Sequence, residues 1–356
     1  MPKENTILIV DDSKELVDAL RAILEDEYNI RVALSGEVAL RVLESVKPDL
    51  MLLDVMMPGI GGFGVVEIMN QDPELKKIPV IFISAENDLY NESRGLKLGA
   101  VDYVTKPYKP EIVTIKVRNA IENKMHRDSL ERLVEKRTAE VVRSRDAVLY
   151  GMSLLAESRD NVTGDHINRI KRYSELLAKE LHEMYPDMLS EAEARRIAAM
   201  SPIHDIGKVR VPDSVLLKPG KLTPEEFNEI KMHTVFGGEV LRKTQQLMEI
   251  DSAEMRLMVE IAESHHERYD GSGYPSGLKG DEIPLSARIV AIADVYDALT
   301  MARPYKKAFT HEEAMDIILK GDGRTDPAHF DPRVLEALKR LWNEFLAIKI
   351  SGGEDL

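Results

Sequence analysis

The stretch Ile203-His204-Asp205-Ile206-Gly207-Lys208 sets an imidazole beside a carboxylate, one nitrogen donor and one potentially bridging oxygen donor for paired metal ions. Lys208 follows His204 by one helical turn, so its ammonium would lie beside a substrate phosphate; alone it would be an ordinary solvated lysine. Four further histidines keep acidic or glycine-rich company: His166, His233 and the adjacent pair His265 and His266. With Asp205 and Asp294 they make a set of nitrogen and oxygen donors without a competing thiol, because the chain has no cysteine. Iron, manganese, zinc, nickel and cobalt all suit such a set, and donor type does not choose among them. Two such ions roughly 3.5–4 Å apart would activate water, stabilise charge on a phosphate oxygen and orient in-line attack, which matches hydrolysis of a phosphodiester. The other histidines, His126, His182, His311 and His329, lack such neighbours and are expected at the surface.

The run His265-His266-Glu267-Arg268-Tyr269-Asp270-Gly271-Ser272-Gly273-Tyr274-Pro275 follows two donors with a glycine-rich loop. Its glycines permit backbone shapes closed to other residues, and Tyr274 would then stack or hydrogen-bond at the mouth of a pocket. Arg303 and Lys306 come shortly after Asp294 and offer two cations to a second phosphate.

These residues need a scaffold, and 356 residues exceed one ordinary core. We expect an N-terminal domain over 1–123, a helical linker over 124–149, a mainly helical domain over 150–345 and a tail over 346–356. In the first domain short apolar runs near 7–10, 29–33, 50–53, 80–83 and 101–104 alternate with amphipathic stretches near 14–26, 36–46, 62–70 and 88–98, with another from 109 onward. That pattern predicts a doubly wound α/β fold around a parallel sheet. Ligands of such sheets gather at the carboxyl ends of strands, where Asp11, Asp12 and Asp54 fall. Three carboxylates there favour Mg2+, and Ser84 and Lys106 offer a hydroxyl and an ammonium to a phosphoryl group on Asp54. In these residue types and their order, residues 5–123 resemble the receiver domain of bacterial two-component response regulators. The resemblance implies Asp54 as phosphoacceptor, Mg2+ on Asp11, Asp12 and Asp54, switch residues Ser84, Tyr103 and Lys106, and a cognate histidine kinase as partner. Tyr103 is otherwise a plain core or edge aromatic.

From Ile112 to Glu157 the chain has no proline and a single glycine, Gly151, which predicts a long helix. Leu130, Val134, Val141 and Val148 fall on a heptad seam interrupted by Arg137 and Ser144. A solvated spacer would suffice; alternatively, phosphorylation pairs two copies through the receiver and this helix, and a change of register reaches the second domain.

The text from 150 to 340 resembles the HD-GYP domain: HDIGK at 204–208, KPGKLT at 218–223, HHERYDGSGYP at 265–275, IPLSARI at 283–289, then ADVYDALT and RPYK between 293 and 306. The resemblance implies an all-α variant of the HD phosphohydrolase fold with a metal centre that hydrolyses cyclic di-GMP to linear pGpG or onward to GMP. It carries over His166, His204, Asp205, His233, His265, His266 and Asp294 as ligands, with Lys208, Arg303 and Lys306 on phosphates. Some members hold a third metal with a glutamate four residues before the first histidine, where Val162 stands here. Valine cannot ligate, so a two-metal centre of iron or manganese is expected, stopping mainly at pGpG.

The expected protein is a response regulator whose phosphorylation controls a cyclic di-GMP phosphodiesterase. Alternatives are a phosphodiesterase for another cyclic dinucleotide, such as mixed guanine–adenine, and a binding module that senses the nucleotide without turnover. The net charge of −14 and the absence of a recognition-helix segment after the receiver argue against DNA as a partner. No apolar run of about 18 residues and no apolar N-terminal core occur, so we expect a cytoplasmic protein without a membrane partner.

Overall fold

The computed structural model describes residues 4–85, 94–160, 164–301 and 308–352. They divide into two compact units, Met1–Ala139 and Glu140–Leu356. No described helix is long and apolar enough to cross a membrane.

In the first unit β1 (Thr6–Val10), β2 (Asn29–Ala33), β3 (Leu50–Asp54), β4 (Val80–Ala85) and β5 (Asp102–Lys106) form one parallel sheet in the order β2-β1-β3-β4-β5. Alternate residues serve opposite faces. Leu8, Val10, Met51 and Leu53 pack with Val65, Val66 and Met69 of the Gly62–Met69 helix and with Ala39 and Leu43 of the Gly36–Ser45 helix. Ile7, Ile9, Leu50 and Leu52 pack with Val17 and Leu20 of the Lys14–Leu24 helix and with Val113 and Val117. Both faces are covered, which is why these strands read as unbroken apolar runs rather than alternating ones. Ser13 and Ser35 start their helices by accepting backbone N–H groups three residues on. Of the helix expected near 88–98, residues 94–97 are described and helical.

A single 48-residue helix, Pro110–Glu157, contains the whole span expected as a linker and extends beyond it at both ends. Its first turns belong to the sheet's core, whereas Leu130, Val134, Val141 and Val148 are exposed.

The described part of the second unit after this helix holds no strand. Its main helices are Gly164–Met184, Glu191–Met200, Pro224–Leu247, Ala253–Ser264, Leu285–Thr300, His311–Lys320, Pro332–Arg340 and Trp342–Ser351. Capping boxes at Ser190/Glu193, Thr223/Glu226 and Thr310/Glu313 fix three of the starts by satisfying orphan donors reciprocally. Ile170, Tyr173, Leu177 and Leu181 recur at helical spacing along one buried stripe. Tyr173 stacks on Phe345 at 4.6 Å between ring centres and meets Tyr296 edge-on at 5.1 Å.

Two expectations change here. The segment 346–356 is not simply a tail: the helix continues to Ser351 and Ile348 is buried. His311 is not at the surface but 2% exposed, with its Nδ1 2.7 Å from the Tyr296 hydroxyl and its ring against Trp342. A histidine with a hydroxyl partner fits a core that its sequence neighbours do not reveal. His182 and His329 are half-buried, and His126 is exposed.

Phe345→Ala removes a fully buried ring from the aromatic cluster, so the second unit is expected to lose about 3–5 kcal/mol of stability. Calorimetry checks this; an unaltered transition would show that the last helix contributes no core.

Candidate metal centre

The Glu191–Met200 helix tightens into the 3-10 turn Ser201–Ile203, and a second such turn, Ile206–Arg210, follows the His204-Asp205 pair. Gly207 makes this path possible, because a Cβ there would lie 1.8 Å from the His233 carbonyl oxygen. The second turn therefore sits directly on the Pro224–Leu247 helix, bringing Asp205 to His233. Lys208 reaches Asp205 within this tight turn rather than along an α-helix, with Nζ to Oδ2 at 2.8 Å. Arg159 secures the turn by donating to the carbonyls of Lys208, Val209 and Val211.

The imidazoles share one logic. Nδ1 of His204, His233 and His265 lies 3.1, 2.7 and 2.9 Å from the carbonyl oxygens of Ser201, Ile230 and Ile261. Nδ1 of His166 lies 2.6 Å from Asp297 Oδ2, and Asp297 is in turn held by Arg169 at 2.5 and 3.0 Å. With Nδ1–H donating, Nε2 is the free nitrogen. Nε2 of His204, His233 and His265 stands 3.1, 3.2 and 3.8 Å from the Asp205 carboxylate. His204 Nε2, Asp205 Oδ1 and Glu157 Oε2 are buried without a hydrogen-bond partner. Such a dry cluster of lone pairs fits a divalent cation, whose charge offsets the cost of burying the carboxylates. Donor atoms lie within 4.8 Å of one another in two groupings: Asp205 with His233, His265 and His266, and Asp205 with Glu157, His166 and His204. Asp205 belongs to both, and Asp294 belongs to neither.

Protonation follows the same surroundings. Burial and the neighbouring imidazoles push His265 well below its ordinary range, and burial pulls His266 down to about 4, so both rings are neutral at pH 7. Burial opposes the charged form of His204, but the Asp205 carboxylate beside Nε2 overrides it and raises this pKa to about 9, so a cation binding there would displace a proton from Nε2. Burial likewise works against an ionised Asp205, yet Lys208 and His204 hold that carboxyl well below its usual value.

A cavity of about 300 Å³ opens over the cluster, lined in part by Asp205, Lys208, His233, His266, Tyr274 and Asp294. The loop beyond His266 is built around Glu267, whose buried carboxylate accepts the backbone N–H groups of Ser276, Gly277 and Leu278 at 2.7, 3.1 and 3.0 Å. Gly273 lets the loop fold back on itself, since a Cβ there would come within 2.3 Å of the Arg268 nitrogen. Tyr274 is thereby laid over His266, ring centres 4.9 Å apart and tilted by 32°. Burial raises the pKa of its hydroxyl, which stays protonated. Arg303, Lys306 and Val162 lie outside the described residues.

The first unit carries its own grouping of Asp11, Asp12 and Asp54 at the ends of β1 and β3, where the strand order reverses. Asp11 and Asp54 are buried and Asp12 is exposed. Lys106 Nζ bridges Asp11 at 2.9 Å and Asp54 at 3.2 Å. Burial, reinforced by the Asp11 charge, raises the pKa of Asp54 against the pull of Lys106. Ser84 is buried and its hydroxyl has no partner. Tyr103 is half-buried with the Lys116 ammonium 4.9 Å from its ring centre.

Residue types alone missed Glu157, Arg159, Asp297 and the clamp made by Glu267. Asp297 had a usable signal, since it follows Asp294 by three residues on the Leu285–Thr300 helix and so shares its side of that helix. Glu157 and Arg159 had none, sitting at the end of a charged helix.

Comparison with known proteins matches residues 7–118 to the response regulator receiver domain and residues 152–334 to the HD domain. A probable cyclic di-GMP phosphodiesterase of Vibrio cholerae is 44% identical over 341 residues, covering 93% of this chain and 76% of the relative. The cyclic di-GMP phosphodiesterase response regulator RpfG of Xanthomonas campestris is 37% identical over 344 residues, covering 94% and 87%. A 3'3'-cGAMP-specific phosphodiesterase 2 of Vibrio cholerae is 42% identical over 204 residues, covering 57% and 36%.

Gly207→Ala is expected to destabilise the second unit by about 3 kcal/mol, because the added methyl meets main chain that cannot rotate away. Thermal unfolding checks this, and an unshifted transition would mean that the turn can lift off the helix.

Proposed function

The chain belongs to the response regulators that join a receiver domain to an HD domain, and from that premise we propose that it is a cytoplasmic, metal-dependent cyclic di-GMP phosphodiesterase governed by phosphorylation of Asp54. The observation that carries the enzymatic part is the pair of donor groupings sharing Asp205 under an open cavity. His166, His204, Asp205, His233, His265 and His266, with Asp294 at the cavity wall, would hold two divalent ions, iron or manganese. Such ions supply Lewis-acid activation of water and of the phosphate.

The chain's own groups orient the substrate. Lys208 turns its ammonium to a nonbridging oxygen of the phosphate in the cavity. Tyr274 offers a ring face to a base or ribose, and Arg303 and Lys306 are proposed for the second phosphate. Asp297 keeps the His166 ring in one orientation throughout. Water oxygen bonds to phosphorus as the bond from phosphorus to the ribose 3′ oxygen breaks, and that oxygen leaves with a proton. The product is linear pGpG, at which the reaction largely stops with Val162 in place of a further ligand.

In the receiver, Asp11, Asp12 and Asp54 would hold Mg2+, and a cognate histidine kinase would supply the phosphoryl group. Lys106 and the unpartnered Ser84 hydroxyl are suited to its oxygens, with Tyr103 as the third switch residue. The exposed Leu130, Val134, Val141 and Val148 support pairing of two copies along the helix. The similarity to a cGAMP-specific relative keeps a mixed guanine–adenine dinucleotide as a second substrate candidate, because the charged groups assigned here are suited to phosphate and do not distinguish the bases.

Purified chain loaded anaerobically with Fe2+ or Mn2+ is expected to convert cyclic di-GMP to accumulating pGpG faster than it converts the mixed dinucleotide, and Asp205→Ala is expected to abolish both. Near-normal turnover by that variant would sink the assignment, and a faster mixed substrate would exchange the two candidates. Intact mass after treatment with acetyl phosphate and Mg2+ should show one added phosphoryl group that Asp54→Asn lacks. A phosphoryl group retained by the variant would move the acceptor elsewhere.

A further inference from the structure

One buried donor of the centre has no part in the function proposed above. Glu157 is the last residue of the Pro110–Glu157 helix and is 1% exposed. Its Oε1 stands 3.2 Å from the Lys208 ammonium, and its Oε2 has no hydrogen-bond partner. One donor atom of Glu157 falls within 4.8 Å of donors from His166, His204 and Asp205, and all four residues are buried. Donors about 2.1 Å from one ion lie about 3–4 Å from each other, so a single divalent ion would satisfy the four together.

A role as counter-ion to Lys208 alone accounts for less. Lys208 already has a closer carboxylate in Asp205, at 2.8 Å. It engages one oxygen of Glu157 and leaves the other buried without a partner, which is costly for a polar atom. The neighbouring His204 Nε2 makes no hydrogen bond either, standing 3.1 Å from Asp205 Oδ2.

From this juxtaposition we infer that Glu157 is a protein ligand of the ion held between His166 and His204, an assignment that rests on the two-ion reading of the centre. The two subsites then differ in chemistry. One joins two carboxylates to two imidazoles and the other joins one carboxylate to three. The first is the harder site and suits Mn2+ or Fe2+ over softer ions.

The test counts ions rather than turnover. Full-length apo chain is loaded anaerobically with Mn2+, freed of excess metal, and examined by elemental analysis and electron paramagnetic resonance. The native chain is expected to hold two ions with the broadened spectrum of a coupled pair. Glu157→Gln is expected to hold one, with the resolved hyperfine pattern of an isolated ion. Lys208→Met, which removes the ammonium but leaves the carboxylate, is expected to keep two. A Glu157→Gln chain that retains a coupled pair as resistant to chelator as the native one would overturn the inference and leave Glu157 as a counter-ion. A native chain holding one ion or none would overturn the two-ion reading and this ligand with it. Apo-protein melting checks that the glutamine variant folds. If it does not, Glu157→Asp is read instead: a second ion lost faster to chelator supports the ligand, and an unchanged ion overturns it.

Discussion

The second unit depends on one electrostatic constraint: Asp205 is ionised at a buried position where five imidazoles converge. A carboxylate stripped of water is tolerable only if cations or donors surround it, so the fold must deliver them from several helices at once. It does so through main chain. Three of the rings are anchored at Nδ1 by the carbonyl three or four residues earlier on their own segment, and a fourth, His166, by Asp297. Ring orientation is thereby tied to helix position. The Tyr173, Tyr296 and Phe345 cluster holds three of the helices in register, and so fixes His166 and Asp297 along with them.

Close approach is the second requirement, and it explains residues that do no chemistry. Gly207 and Gly237 face each other where the turn after Asp205 meets the Pro224–Leu247 helix. Any side chain at 207 would part the elements that carry Asp205 and His233. Glu267 solves the matching problem on the other wall. A loop that must present Tyr274 leaves backbone N–H groups unpaired, and one buried carboxylate takes three of them. Position, more than reactivity, accounts for the acidic residues around this cavity.

The legibility of these features in sequence follows from how local they are. The parallel sheet was readable because Ile7–Val10, Leu50–Leu53 and Val80–Ile83 are apolar at every position, which only a sheet covered on both faces requires. The helical character of the second unit and its six clustered donor residues were readable from period and residue type. Contacts that cross long stretches of chain were not. Asp297 meets Arg169 across 128 residues and Glu157 meets Lys208 across 51, and no spacing rule connects such pairs. His311 failed for the same reason, since its hydroxyl partner lies on a different helix. The turn at 206–210 differed from the expected α-helical spacing because Gly207 lets the chain tighten against a neighbour.

The proposed phosphorylation and the metal centre meet in a single stretch of chain. At one end Asp54 and Asp11 share the Lys106 ammonium, so a doubly charged phosphoryl group on Asp54 would compete for that cation and for the idle Ser84 hydroxyl. The only covalent route from there to Asp205 passes along Pro110–Glu157. That helix ends on a buried carboxylate in contact with Lys208, and Arg159, two residues on, grips the carbonyls of the turn that carries Lys208. A change at the end of this helix would therefore reach the Lys208 ammonium, proposed above for the substrate phosphate, and the donor atoms of His166, His204 and Asp205. Switching would need no movement of the core helices: withdrawing Glu157 would take a buried carboxylate away from Lys208 and from the donors of His166, His204 and Asp205.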